Sequence, residues 1–258
     1  MASELAEAIR HGRIQAWFQP IVRARNGRCT SVEVLARWHD EELGWVSPAT
    51  FVPMAENLGM IGELGQQVML ASLDALGDWY ASGIPILLAV NVSKRQLFSS
   101  GFNDELIKAV YARGLSPDSL ILEVTESLAI NDVDHGAERI QDLQEKGFSL
   151  AIDDFGTGYS SLSQLHEIKA LELKIDISFV RRLHEPSGRS MVQAIISLAD
   201  ALGMHTVAEG VEDAATAEKL AEMGVDFLQG YYFARPMPRA EFEAWYRSYS
   251  VTGESATG

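Results

Sequence analysis

A chain of 258 residues, 47% of them hydrophobic, is long enough to enclose a sizeable core and close to the size of one barrel domain, so residues 1–250 are expected to form one soluble unit. Its formal net charge of −15 argues against a protein that grips bulk nucleic acid by its phosphates, yet leaves room for a small phosphorylated ligand, because bound divalent cations reverse the local field. A single cysteine, Cys29, and histidines scattered at 11, 39, 135, 166, 184 and 205 exclude an internal disulfide and argue against a zinc cluster, while the longest apolar runs fall short of the ~20 residues that span a bilayer.

The Met1-Ala-Ser-Glu start has no basic and apolar leader pattern, which together with the lack of a membrane segment predicts a cytoplasmic location. Residues 4–10 read as a short helix, followed by alternating strands at Ile14 to Val22 and Cys29 to Trp38. Asn26-Gly27 between them signals a hairpin, so these two strands are expected to pair antiparallel. In the second strand Glu33, Leu35 and Arg37 share one face and Val32, Val34 and Ala36 the other. Ser47-Pro48 opens a helix toward Gly59, and Ile61 to Ala81 forms a longer one. Ile84 to Val92 is nearly continuous in apolar residues, as a strand buried on both faces requires, and it ends in Asn91 and Ser93.

Helical periodicity spans Leu97 to Arg113, and a strand at Leu120 to Val124 is interrupted by Glu123 and left through Thr125-Glu126. Val133 to Lys146 reads as a helix, and Phe148 to Asp154 as a strand that delivers two adjacent carboxylates to a Gly-x-Gly turn. The remaining expectations are a helix at Tyr159 to Glu167, a strand at Leu171 to Ile175 holding Lys174, and a helix from Ser187 to Gly203. A strand at His205 to Ala208 stops at Glu209, a helix runs from Ala214 to Met223, and a last strand covers Phe227 to Gly230. A closing helix at Arg239 to Tyr249 is followed by residues 251–258, whose composition suits a disordered tail. An antiparallel pair followed by about six strand-helix alternations predicts an α/β fold, a (β/α)8 barrel of modified TIM type with an antiparallel opening pair. An open doubly wound sheet is the alternative, but no early Gly-x-Gly-x-x-Gly turn supports it.

On this reading Glu33, Asn91, Glu123, Asp153, Asp154, Lys174, Glu209 and Gln229 all stand at strand ends that open onto one mouth. Each has an ordinary role when taken alone. Five carboxylates converging in a partly dry space repel one another and resist ionisation unless cations bind, and oxygen-only ligands favour Mg²⁺ or Mn²⁺. A carboxylate between two sites bridges ions ~3.5–4 Å apart, the arrangement that serves phosphoryl chemistry.

The blocks Glu33-Val34-Leu35-Ala36-Arg37-Trp38, Asn91-Val92-Ser93, Glu123-Val124-Thr125-Glu126, Asp153 through Leu162, Lys174-Ile175-Asp176, Ala208 through Glu212 and Gln229-Gly230-Tyr231 together resemble the EAL-type cyclic di-GMP phosphodiesterase domain, from about Glu4 to Tyr249. The resemblance implies metal-dependent hydrolysis of one phosphodiester of cyclic di-GMP to linear pGpG in bacterial second-messenger signalling. It implies Glu33, Asn91, Glu123 and Asp153 as ligands of one ion, and Asp153 and Asp154, with Glu209 as a further candidate, as ligands of a second. Lys174 resembles the family's lysine beside the hydrolytic water, and Glu209 its metal ligand or base. Gln19 and Arg37 resemble contacts to the ligand, Gln229 borders the same site, and Glu126 anchors the loop after Asp154. A homodimer and a longer parent chain carrying sensory or GGDEF domains are implied in the same way.

Three departures stand out: Val34 replaces the signature alanine, and Lys169 and Leu171 replace a proline and an aspartate common before the lysine strand. The rival reading is a receptor domain that binds cyclic di-GMP without cleaving it, which the intact carboxylates and Asp-Asp-Phe-Gly disfavour. A lyase or isomerase using the same acids on Mg²⁺ is a more distant rival. The protein-kinase reading of Asp-Phe-Gly fails for want of His-Arg-Asp and a glycine-rich loop.

Overall fold

A computed structural model describes residues 1–131, 136–156 and 162–254. Nine strands lie in one sheet: β1 (Ile14–Arg23), β2 (Cys29–Asp40), β3 (Gly44–Val46), β4 (Leu87–Asn91), β5 (Leu120–Thr125), β6 (Ser149–Phe155), β7 (Glu172–Ile175), β8 (His205–Ala208) and β9 (Phe227–Leu228). Their order is β1-β9-β8-β7-β6-β5-β4-β2-β3, and β1 also pairs with β2, which closes every strand except β3 into an eight-stranded barrel. β1 runs antiparallel to both of its neighbours, and β2 and β4 to β9 run parallel. The expected barrel with an antiparallel opening pair is therefore the fold.

Alternation along the strands builds two separate apolar clusters. Val32, Val34, Leu88, Leu122, Ile152, Leu173 and Ile175 belong to the large one, shared with helix residues such as Leu73, Leu76 and Ile195. Ile21, Ala89, Ile121, Ala151, Val207 and Phe227 make a smaller one inside the barrel. Two residues further along β4, β5, β6, β8 and the chain after β9, on the same inward side, come Asn91, Glu123, Asp153, Glu209 and Gln229. The apolar plug thus floors the mouth at which the polar residues gather. Val34 lies in the outer core, with its side chain away from Glu33, so the departure from alanine is absorbed by packing.

Several elements differ from expectation. The helix expected over Leu97 to Arg113 is two, Lys94–Leu97 and Phe102–Tyr111, broken where Gly101 takes φ 87. The first is capped by Ser93, whose hydroxyl accepts from the Gln96 N–H while the Gln96 side chain accepts from the Ser93 N–H. β3 and the short helices Glu126–Asn131 and Ile177–Arg181 carry too little pattern to be read in advance. The closing helix runs from Arg239 to Glu254, so it takes in part of the segment expected to be a tail, and 255–258 lie outside the described residues. The same holds for the start of the helix expected at Val133 and for Thr157 to Ser161. No helix among the described residues is long and apolar enough to cross a membrane.

Candidate active site

The sheet register explains why separated residues meet. Gln19 of β1 stands opposite Glu33 of β2, Asn91 of β4 opposite Glu123 of β5, and Thr125 opposite Asp153 of β6. The Asn91 amide donates to Glu33 Oε1 at 3.0 Å, and the Gln229 amide donates to Glu33 Oε2 at 2.6 Å and to Gln19 Oε1 at 3.3 Å. Gln19 in turn donates to the Ala234 carbonyl at 3.2 Å. One barrel wall is thus tied by side-chain amides to a single carboxylate.

At the centre stands Lys174, 1% exposed. Its ammonium lies 2.7 Å from Glu209 Oε1, 3.0 Å from Glu123 Oε1, 3.3 Å from Asp153 Oδ1 and 3.7 Å from Glu33 Oε2. Burial opposes its charge, but the four carboxylates outweigh it and hold the Lys174 pKa well above the ordinary lysine value. Burial likewise opposes the Glu33 carboxylate, yet Lys174 and the Gln229 and Asn91 amides keep its pKa below the usual range. Glu123 goes the other way: burial and repulsion from Glu33 outweigh Lys174 and raise it far up. Burial also pushes Glu209 up to about 7, against the pull of Lys174.

Asp153 and Asp154 meet through backbone geometry. Adjacent strand residues face apart, but Asp154 has φ 54, a left-handed conformation uncommon for a non-glycine residue, and its N–H donates to Asp153 Oδ1 at 2.9 Å. Gly156 follows at φ 95, with a Cβ position only 2.8 Å from the Phe179 ring, so no larger residue fits there. The turn therefore starts at Asp154 itself, two residues before the first glycine to which the sequence alone attributed it. The Gly156 N–H donates to Glu126 Oε2 at 2.9 Å, tying the strand exit of β5 to that of β6.

The chemistry of the donor set fits divalent cations. One carboxylate oxygen from each of Asp153, Asp154 and Glu209 falls within 4.8 Å of the others. Neither oxygen of the fully buried Glu123 accepts a hydrogen bond of proper geometry from the described residues, and Oε1 has the Lys174 ammonium at 3.0 Å to offset its burial. Asp154 is raised by burial and by the Asp153 charge beside it, which marks the pair as a seat for positive charge.

Of the other expected residues, Gln19, Glu33, Asp153, Glu209 and Gln229 line one open pocket of about 310 Å³. Arg37 stands four residues beyond Glu33 on the same face, its guanidinium 5.8 Å from the centre of the Trp17 ring and donating to the Ala36 carbonyl at 2.8 Å. Burial lowers its pKa, opposed by Tyr231 and Glu33. The pocket also takes in Ile177 and Arg181, which the sequence did not single out, and Glu212, which stands in the Ala208 through Glu212 block without an expected role. Asp176 caps the helix Ile177–Arg181 by accepting from the Ser178 N–H at 3.0 Å, and this short helix lies at the pocket rim.

A family model described as "EAL domain" matches residues 2–236. The chain belongs to the EAL domain family. This EAL domain is 36% identical over 250 residues to the oxygen sensor protein DosP of Escherichia coli, covering 96% of the chain and 31% of that protein. It is 38% identical over 231 residues to the cyclic di-GMP phosphodiesterase PA2567 of Pseudomonas aeruginosa, covering 89% of the chain and 39% of that protein. The chain thus spans well under half the length of these curated relatives. A solved structure of the PaMucR phosphodiesterase in complex with c-di-GMP superposes with a TM-score of 0.89 at 38% identity, covering 93% of this chain and 98% of that one.

Proposed function

We propose that this chain hydrolyses cyclic di-GMP to linear pGpG: a water oxygen adds to one phosphorus, and the bond from that phosphorus to a ribose 3′ oxygen breaks. The observation that carries the reading is the ring of Glu33, Glu123, Asp153 and Glu209 about the buried Lys174, with Asp154 alongside. Relatives named as cyclic di-GMP phosphodiesterases support the substrate.

In this reading Glu33, Asn91, Glu123 and Asp153 hold one Mg²⁺ or Mn²⁺, and Asp153, Asp154 and Glu209 a second. Bound there, the ions supply Lewis-acid charge for the phosphate and the attacking water. Lys174 adds a fixed positive charge beside the carboxylates, where negative charge develops on the phosphoryl oxygens. Glu209 raised to about 7 suits a group that accepts a proton near neutrality, so it acts as the base or completes the second ion's ligands. Gln19, Gln229 and Arg37 orient the dinucleotide, and Glu126 fixes the loop after Asp154 through Gly156. A cytoplasmic homodimer, linked in a longer chain to sensory or GGDEF domains, completes the proposal.

The test is chromatography of nucleotides after incubation with cyclic di-GMP and Mn²⁺. Production of pGpG that EDTA and Asp153→Asn both abolish supports the enzyme. Tight binding without turnover supports the receptor reading, and absence of both overturns the proposal.

A further inference from the structure

The face of β2 that begins at Glu33 does not end at the mouth. β1 and β2 continue beyond the barrel as a ribbon to which β3 adds a third strand. Cross-strand partners share a face, so the sequence of pairs from the acids outward is Gln19 with Glu33, Trp17 with Leu35, Gln15 with Arg37, and His39 with Trp45. At ~3.4 Å per residue, Trp17 begins about 7 Å along the ribbon from Glu33.

The two indoles meet over this face. Trp17 and Trp45 have ring centres 5.0 Å apart at 71°, and Trp45 meets the His39 ring at 4.9 Å and 73°. The Trp17 N–H donates to Gln15 Oε1 at 3.1 Å, which fixes the ring's rotation. The contact covers one face of one ring with the edge of the other and leaves Trp17 half-buried, while Trp45 remains 55% exposed, among the most exposed large apolar side chains described. Cations adjoin the same line: Arg37 over Trp17, and Arg235 at 4.3 Å over the Tyr231 ring at the pocket rim. In a chain of net charge −15, an aromatic pair exposed at Trp45, adjoined by guanidinium groups and continuous with the cation-binding acids, matches a nucleotide base and its phosphate.

We propose that Trp17 and Trp45 form a stacking wall for one purine of the dinucleotide, with Arg37 at its foot beside the adjoining phosphate. The wall rests on the cyclic di-GMP reading above. It sets affinity for the base and leaves the chemistry at Lys174 and the acids unchanged.

Steady-state kinetics on Trp45→Ala, Trp45→Leu, Trp45→Phe and Trp17→Ala test it, with thermal melts to verify folding. Loss of one base stack raises KM for cyclic di-GMP about ten-fold or more in both alanine variants, while kcat changes far less. Trp45→Phe restores most of the loss because a π face returns, and Trp45→Leu does not. An unchanged KM, equal rescue by leucine, or a shift in oligomeric state in place of KM overturns the wall while the phosphodiesterase reading stands. A wild-type protein that neither binds nor cleaves cyclic di-GMP removes that reading and the wall with it.

Discussion

Lys174→Met tests the electrostatic core most sharply, because it removes the ammonium from among four carboxylates while keeping side-chain length. The ammonium lies 2.7–3.7 Å from Glu209, Glu123, Asp153 and Glu33 and is almost completely shielded from water. Removing one partner of a buried ion pair costs about 3–5 kcal/mol. Protonation of Glu123 and Glu209, both already raised, offsets part of this, so the lower end is expected at pH 6 and the upper end at pH 8. At roughly 2–4 °C per kcal/mol, the melting temperature in EDTA falls by about 6 °C or more. Divalent cations then act as replacement charge: about 10 mM Mg²⁺ raises the Tm of the variant by more than that of the wild type, since the ammonium no longer competes for the same carboxylates. Scanning calorimetry with and without Mg²⁺ reads both effects. A variant melting within about 2 °C of wild type in EDTA, or gaining no more from Mg²⁺, would refute the reasoning.

Glu172, inside the barrel one alternation below Lys174, has its carboxyl raised by burial to about 7. Its folded pKa exceeds its unfolded value, so its neutral form is retained on folding at low pH and stability declines as pH rises from about 4.5 through 7. Glu172→Gln should flatten that decline and gain on the order of 3 kcal/mol at pH 8, measured by denaturant unfolding across pH; an unchanged pH profile contradicts it. Glu126→Ala removes the acceptor of the Gly156 N–H, a charge-assisted bond worth about 1.5–3 kcal/mol, and should weaken Mn²⁺ binding by calorimetry as the Asp154 turn loosens; unchanged affinity would exclude that coupling. Gly230→Ala places a Cβ 2.0 Å from the Val211 carbonyl oxygen and 2.3 Å from its nitrogen, where Val211 is bonded to the Gln229 carbonyl at 3.0 Å. Overpacking against backbone should cost about 1–3 kcal/mol and lower the Tm, and an unaltered melt would show that the loop yields freely.

The fold was legible where patterns were long. Asn26-Gly27 between alternating runs announced the antiparallel pair, and the apolar run ending at Asn91 announced a strand buried on both faces. Polar residues at successive strand ends announced the mouth, because a barrel sends every such end to one side. Short elements were not legible: β3 spans three residues and exists by pairing with the end of β2, a tertiary choice without local signature. Gly101 divides one helical run into two through a left-handed turn that periodicity does not register. Lys169 takes φ 48, a conformation that proline's ring forbids, so the departure there changes the backbone itself. Nor could composition place Trp45 over Trp17, since they meet only through the β3 addition.

The acids around Lys174 are expected to gather divalent cations for phosphodiester hydrolysis. The most direct measurement is an anomalous-scattering map from crystals grown with Mn²⁺ and cyclic di-GMP, using the Lys174→Met protein to slow turnover. Two peaks ~3.5–4 Å apart are expected with Asp153 between them, one by Glu33, Asn91 and Glu123 and the other by Asp154 and Glu209, with a phosphate of the dinucleotide against both. Peaks elsewhere on the surface with an empty mouth, or a dinucleotide bound at the mouth without any anomalous signal, would contradict it.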